Sequence, residues 1–209
     1  MSIYGQSLMS RNNELVTEGL LFLSNDAKSL KKEIQEKLKS EYTKGYINKV
    51  KNNISLTSNF DKAKAKSALN FVMSKLENPI NYVLYIETIT TDYSSEDLYK
   101  QCIYGFYKSS FITITLLYDH NGASVAGFKE LKKSETIIPE DAIISILKAV
   151  QGKRYLASVS KNKISFSSLG REEKIGNLVE KAIEDISVKH PELEVSTGKL
   201  FSVVTFKQK

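Results

Sequence analysis

From residue 30 the chain places an apolar side chain at every fourth position: Leu30, Ile34, Leu38, Tyr42, Tyr46 and Val50. That spacing draws a seam along one face of a helix beginning near Ala27, and Ser24-Asn25-Asp26 offers side chains able to cap its first turn. Upstream, residues 1 to 11 are polar, and a first helix is expected from about Asn13 to Leu23. Downstream, Asn52-Asn53 ends or bends the long helix and Thr57-Ser58-Asn59 caps the next one. Its apolar positions, Phe60, Ala65, Ala68, Leu69, Val72, Met73 and Leu76, keep a 3.6-residue period until Asn78-Pro79 stops it. Residues 1–79 therefore read as a helical region.

The texture changes at Ile80, where β-branched and aromatic residues take over. Tyr82 to Thr91 predicts a strand. Phe111 to Asp119 predicts another, with Thr113 and Thr115 facing away from Ile112, Ile114 and Leu116. Between them, Ser94-x-x-Asp97 opens a short helical pattern running to about Phe106. Asn121-Gly122 is a tight-turn dipeptide and should fold the second strand back on a third, Ser124 to Leu131. Pro139 at a first helical position introduces a helix carrying Ala142, Ile143, Ile146, Leu147 and Val150, with Gly152 beyond its end. A hairpin follows, Arg154 to Ser160 and Ile164 to Ser168. A helix from about Arg171 to Lys189 then carries Ile175, Leu178, Val179, Ala182, Ile183 and Ile186 on one stripe and stops at His190-Pro191. Leu200 to Phe206 closes the chain as a strand, paired with Leu193 to Ser196. Hairpins interrupted by single helices, without regular strand-helix alternation, specify an α+β fold. The expected order is a helical, basic region, 1–79, and then an α+β body, 80–209, with a mostly antiparallel sheet.

Charge sharpens the picture of the first part. Residues 28 to 66 hold eleven Lys against Glu33, Glu36, Glu41 and Asp61, a balance of +7 in a 209-residue chain whose total is +6. Clustered Lys suits an acidic partner, whether nucleic acid, an anionic surface or an acidic protein. Lys31, Lys32, Lys39 and Lys49 are the candidate nucleic-acid contacts. Only three Arg are present, so bidentate reading of base edges is poorly supplied. Cys102 is the single cysteine, which points to a reducing compartment and so to the cytoplasm. No stretch approaches the roughly 20 apolar residues that cross a bilayer.

Candidate chemistry is sparse. Asp119 ends one strand of the predicted hairpin, and Glu130 and Lys132, two apart on the next, share a face. Two carboxylates and a lysine could hold Mg²⁺ and orient water against a phosphodiester. This Asp-x(n)-Glu-x-Lys pattern resembles the core of the PD-(D/E)xK nuclease superfamily over residues 60 to 160. The resemblance implies a metal-dependent nuclease with Asp119, Glu130 and Lys132 as its catalytic residues, joined by Glu77 or Glu87. The same pattern also fits a solvated hairpin face of alternating charge. His120 and His190 lie at a turn and before a helix-stopping Pro, which suits turn polarity better than acid-base work. Cys102 suits a small buried residue. Ser196-Thr197-Gly198-Lys199 lacks the Gly and Ser/Thr that a phosphate-binding loop needs at 193 and 200. The eleven Tyr edge a core or, beside Lys, stack on single-stranded bases.

With no convergent catalytic set, the chain reads as a non-catalytic structural or assembly component that needs no cofactor. It would dock on a protein partner or a neighbouring subunit through Leu30, Ile34, Leu38, Tyr42, Tyr46 and Val50. Its wealth of Lys, Asn, Ile, Tyr and Ser suits a phage or mobile-element protein located in a virion. The alternative is a nucleic-acid binder, or the Mg-dependent nuclease just described.

Overall fold

In the computed structural model the described residues are 23–51, 62–90, 95–119, 122–153, 155–168, 175–198 and 203–209, with side chains described except at 40–51, 62–66, 82–90, 95–99, 119, 122 and 168. The helix expected over Asn13 to Leu23 falls almost wholly outside them, as do Asn52-Asn53 and the Thr57-Ser58-Asn59 cap. Two helices come first, α1 (Asn25–Lys51) and α2 (Lys62–Lys75). Four strands follow, β1 (Glu77–Thr90), β2 (Ser95–Tyr107), β3 (Ser110–Asp119) and β4 (Gly122–Lys132). They form an antiparallel meander in the order β1-β2-β3-β4. Then come α3 (Glu140–Ala149), β5 (Tyr155–Val159), β6 (Lys163–Ser168), α4 (Ile175–Lys189), β7 (Leu193–Thr197) and β8 (Val203–Gln208), with a second antiparallel sheet ordered β5-β6-β8-β7. The fold is α+β.

Among the described side chains, both faces of the meander carry buried residues. In the register Ile103 stands opposite Ile114, and Ile114 opposite Phe128; this face packs under Ala27, Leu30, Ile34 and Leu38 of α1 and Ala68 and Val72 of α2. On the other face Tyr104 and Phe106 join Phe111 and the core shared with α3, α4 and the second sheet. The two helices and the second half of the chain thus pack on opposite faces of the first sheet, as two hydrophobic clusters.

The helix expected from Ser94 to Phe106 is not found over 95–106: β2 occupies those residues, and Ser94 lies outside the described residues. As a central strand covered on both sides, it loses the apolar-polar alternation that marks a half-exposed strand, and its Ser-x-x-Asp opening imitates a helix cap. Its turn into β3 is also unmarked. Tyr107 pairs with Ser110 around Lys108-Ser109, and Lys108 takes a φ of 53° with no Gly or Asn there. The hairpin at Asn121-Gly122 forms as expected, with Asp119 opposite Gly122, and so does the pairing of β7 with β8. Asn78-Pro79 lies already within β1, at a register shift, with Asn78 at a φ of 49°. The helix before it ends at Lys75. Pro139 is the cap of α3, one place before its expected first turn.

Gly105 allows the α2–β1 junction to lie on the sheet. A Cβ there would stand 2.9 Å from the Leu76 Cβ and 3.1 Å from the Glu77 carbonyl oxygen, so backbone would have to move. Gly105→Ala is therefore expected to lower stability by about 1–3 kcal/mol, the usual range for overpacking. Urea denaturation of the two proteins measures it, and an unchanged midpoint would contradict this packing.

Candidate functional site

The long basic helix is held to the sheet by a cluster of hydrogen bonds at its start. Ser24 caps α1: its Oγ accepts the Ala27 N–H (3.2 Å) and its carbonyl accepts the Lys28 N–H (2.9 Å). Ser24 is itself gripped by Glu130 of β4. Its N–H donates to Glu130 Oε2 and its hydroxyl to Oε1, both at 2.7 Å, while the Ser110 hydroxyl donates to Oε1 from β3 at 2.6 Å. Beside them, Lys108 in the β2–β3 turn donates to Asp26 at 2.6 Å. Partial burial by itself raises the Glu130 pKa. The bonds from Ser110 and from the N–H and hydroxyl of Ser24, with the charge of Lys132, outweigh it and hold the carboxyl below its ordinary value.

From this anchor the helix can run in one direction only. Glu130 lies two residues from the end of β4, so the buried face from Ala27 to Leu38 must track along β3 and β4 toward the Asp119–Gly122 turn. Leu30, Ile34 and Leu38 are between 0% and 1% exposed in the isolated chain. They are corrected from partner contacts to core: the chain's own sheet and α2 cover them. Tyr42, Tyr46 and Val50 continue the same spacing on the same helix, and their side chains lie outside the described residues.

The residues of the nuclease pattern are not brought together. Glu130 stands opposite Ile112, and Asp119 is seven residues farther along β3, roughly 23 Å at about 3.3 Å per residue. A single metal cannot bridge that gap. Glu130 is moreover committed to the helix cap, and Lys132 is exposed beside it. Glu77 begins β1 opposite Phe106, and Glu87 lies opposite Leu98, ten residues along the same strand. This set does not fit Mg²⁺ at one centre. Among the described residues no group of three or more His, Cys, Asp or Glu gathers in a way that could hold a metal ion.

The remaining candidates divide plainly. Lys32 is exposed and pairs with Glu36 at 3.8 Å, Lys39 is exposed, Lys31 is half-buried, and the Lys49 side chain lies outside the described residues. Cys102 is buried on β2, and burial pushes its thiol pKa up against the smaller opposing effects of Tyr104, Thr115 and Lys129. Its environment is that of a core residue. His190, at the end of α4, contacts Asp141 of α3 through Nε2 at 3.0 Å and Glu192 through Nδ1 at 3.4 Å, while His120 lies outside the described residues. No helix among the described residues is long and apolar enough to cross a membrane. Compared with family models, curated proteins and solved structures, the chain matches none. Sequence reasoning singled out Glu130 and the Ser24 cap separately, but their contact joins residues 106 apart. No local pattern encodes it.

Glu130→Gln should cost about 1–3 kcal/mol, because buried donors on Ser24 and Ser110 then meet a weaker acceptor. Backbone amides at the start of α1 should lose protection in hydrogen exchange. Because the folded carboxyl is held below its ordinary value of 4.5, its stabilisation is fully present above that pH and lost as pH falls through the lowered folded value. Comparing the stability of wild type and Glu130→Gln between pH 7 and pH 3 tests the sign: the gap between them should narrow on acidification.

Proposed function

We propose that the protein is a non-catalytic interaction or assembly component that docks on a neighbouring subunit or protein partner through the distal half of α1, residues 39 to 51. One observation carries the reading. A helix of 27 residues, about 40 Å long, is fixed at its first turn, has the seam from Ala27 to Leu38 buried by its own sheet and α2, and continues for another thirteen residues, about 20 Å. The apolar spacing continues into that half at Tyr42, Tyr46 and Val50. Helical segments of this length are marginal without tertiary cover, so a persistent seam favours burial against another chain. Lys39, Lys44, Lys49 and Lys51 flank it against one acid, Glu41, which favours a partner whose rim is acidic.

The near and distal halves of α1 should therefore respond differently to substitution. Molar mass in solution, measured across a concentration series, should show the wild type assembled and Tyr42→Asp/Tyr46→Asp dissociated but folded. Ile34→Asp should instead destabilise the chain itself by several kcal/mol, since it places a charge in the core. A wild type that stays monomeric, with fast amide exchange over 39–51 at every concentration, overturns assembly with a neighbouring subunit. Added DNA provides the other arm. A mass shift at low salt that Lys32→Gln, Lys39→Gln and Lys49→Gln remove together would replace this reading by nucleic-acid binding.

A further inference from the structure

Beside the contact of Tyr104 with β5, residues of β2, β3 and β4 on one side and of β5 and β6 on the other line an open cleft of about 620 Å³. Its floor is apolar, made by Phe111 of the first sheet and Phe166 of the second. Leu131, Leu156 and Val159 border it and remain only partly buried, although they adjoin a continuous core. The walls are hydroxyl-bearing: Thr113 and Thr115 stand on β3, and Ser158 and Ser165 face each other across β5 and β6. Small residues keep the cleft from filling. Gly127, opposite Thr115 on β4, presents no side chain at the row that Cys102 completes.

A cation stands at the rim. Lys129 shares a cross-strand row with Thr113 and Tyr104, so it lies on the cleft side of the sheet, and Lys161 lies at the tip of the β5–β6 hairpin. None of the ion pairs among the described residues uses either lysine. The hairpin tip is fixed, because the Lys161 carbonyl accepts the Ile137 N–H at 2.8 Å and the Thr136 hydroxyl at 2.9 Å. Both acids of the lining are engaged elsewhere: Glu130 takes its bonds from Ser24 and Ser110, and Glu135 accepts the Lys132 N–H. An extended peptide would need the free edge of β5. There the Tyr104 hydroxyl already accepts the Ala157 N–H and donates to the Ala157 carbonyl, both at 3.0 Å.

We infer that this cleft is a binding site for a small amphiphilic anion, with the apolar body on Phe111, Leu131 and Leu156 and the carboxylate or phosphate head on Lys129. The volume lies within the range of about 300–1,000 Å³ typical of sites for small molecules, and an apolar floor with few converging polar groups is their usual construction. The hydroxyls supply donors to the head group's remaining oxygens. This site is separate from the distal half of α1 and does not depend on the docking proposal.

Titration calorimetry with decanoate, decyl phosphate and decanol tests it on the intact chain. Both anions should bind with one site per chain, and the tighter of the two identifies the head group. Lys129→Gln should weaken both by about tenfold, the loss of one charged hydrogen bond, and leave decanol unchanged. Gly127→Val, which builds into the cleft from β4, should weaken all three, and Ser165→Leu should do so from the opposite wall should the first variant fail to fold. Absence of saturable anion binding up to about 1 mM, or anion affinities unchanged in Lys129→Gln, would overturn the assignment. So would wild-type affinity in a folded cleft-filling variant.

Discussion

A carboxylate on an edge strand decides where the first described helix begins and which way it points. Glu130 takes three hydrogen bonds from two serines, one at the start of α1 and one on β3, so the helix N-terminus and two strands are joined at a single group. A helix start is the place where unpaired N–H groups and the positive end of the dipole accumulate, and a negative charge there is favoured twice over. Once that end is fixed over Glu130, the helix must lie along β3 and β4, and Leu30, Ile34 and Leu38 have only the sheet beneath them. Burial of the seam is thus downstream of the anchor. The same constraint carries the helix on past Leu38 to Lys51.

The sheet takes its character from being covered twice. One face carries Ile103, Ile112 and Ile114 under α1 and α2, and the other carries Tyr104, Phe106 and Phe111 against the second half of the chain. A four-stranded meander normally leaves one side wet. Here both are used, and beside β4 threonines, a glycine and a lysine line a cleft.

What could be read from the chain alone follows from how local each signal is. The helices show because Leu30, Ile34 and Leu38, or Ile175, Val179, Ala182 and Ile186, repeat at the helical period and are all buried. The β3–β4 hairpin shows because Asn121-Gly122 carries its own turn chemistry. The strand β2 does not, since burial on both faces removes its alternation and Lys108-Ser109 turns without a turn residue. Of the expected partner face, Leu30, Ile34 and Leu38 are core. An apolar seam on a basic helix is visible from spacing, but which part of it the chain itself covers depends on a contact between Ser24 and Glu130 that no spacing encodes. Asp119, Glu130 and Lys132 illustrate the same limit: residues on adjoining strands can be near in pattern and far in register.

The Tyr104 hydroxyl, bonded to both the N–H and the carbonyl of Ala157, has a consequence for how the molecule comes apart. It is a side chain of the first sheet doing for β5 what a neighbouring strand would do, so separating the layers breaks two hydrogen bonds to the β5 backbone at once. Tyr104 also packs on Phe111 of the adjoining strand, with ring centroids 6.2 Å apart, which holds its ring in place for these bonds. The two sheets are therefore coupled in unfolding as well as in packing, and neither layer has a low-cost route to melting while the other stays folded.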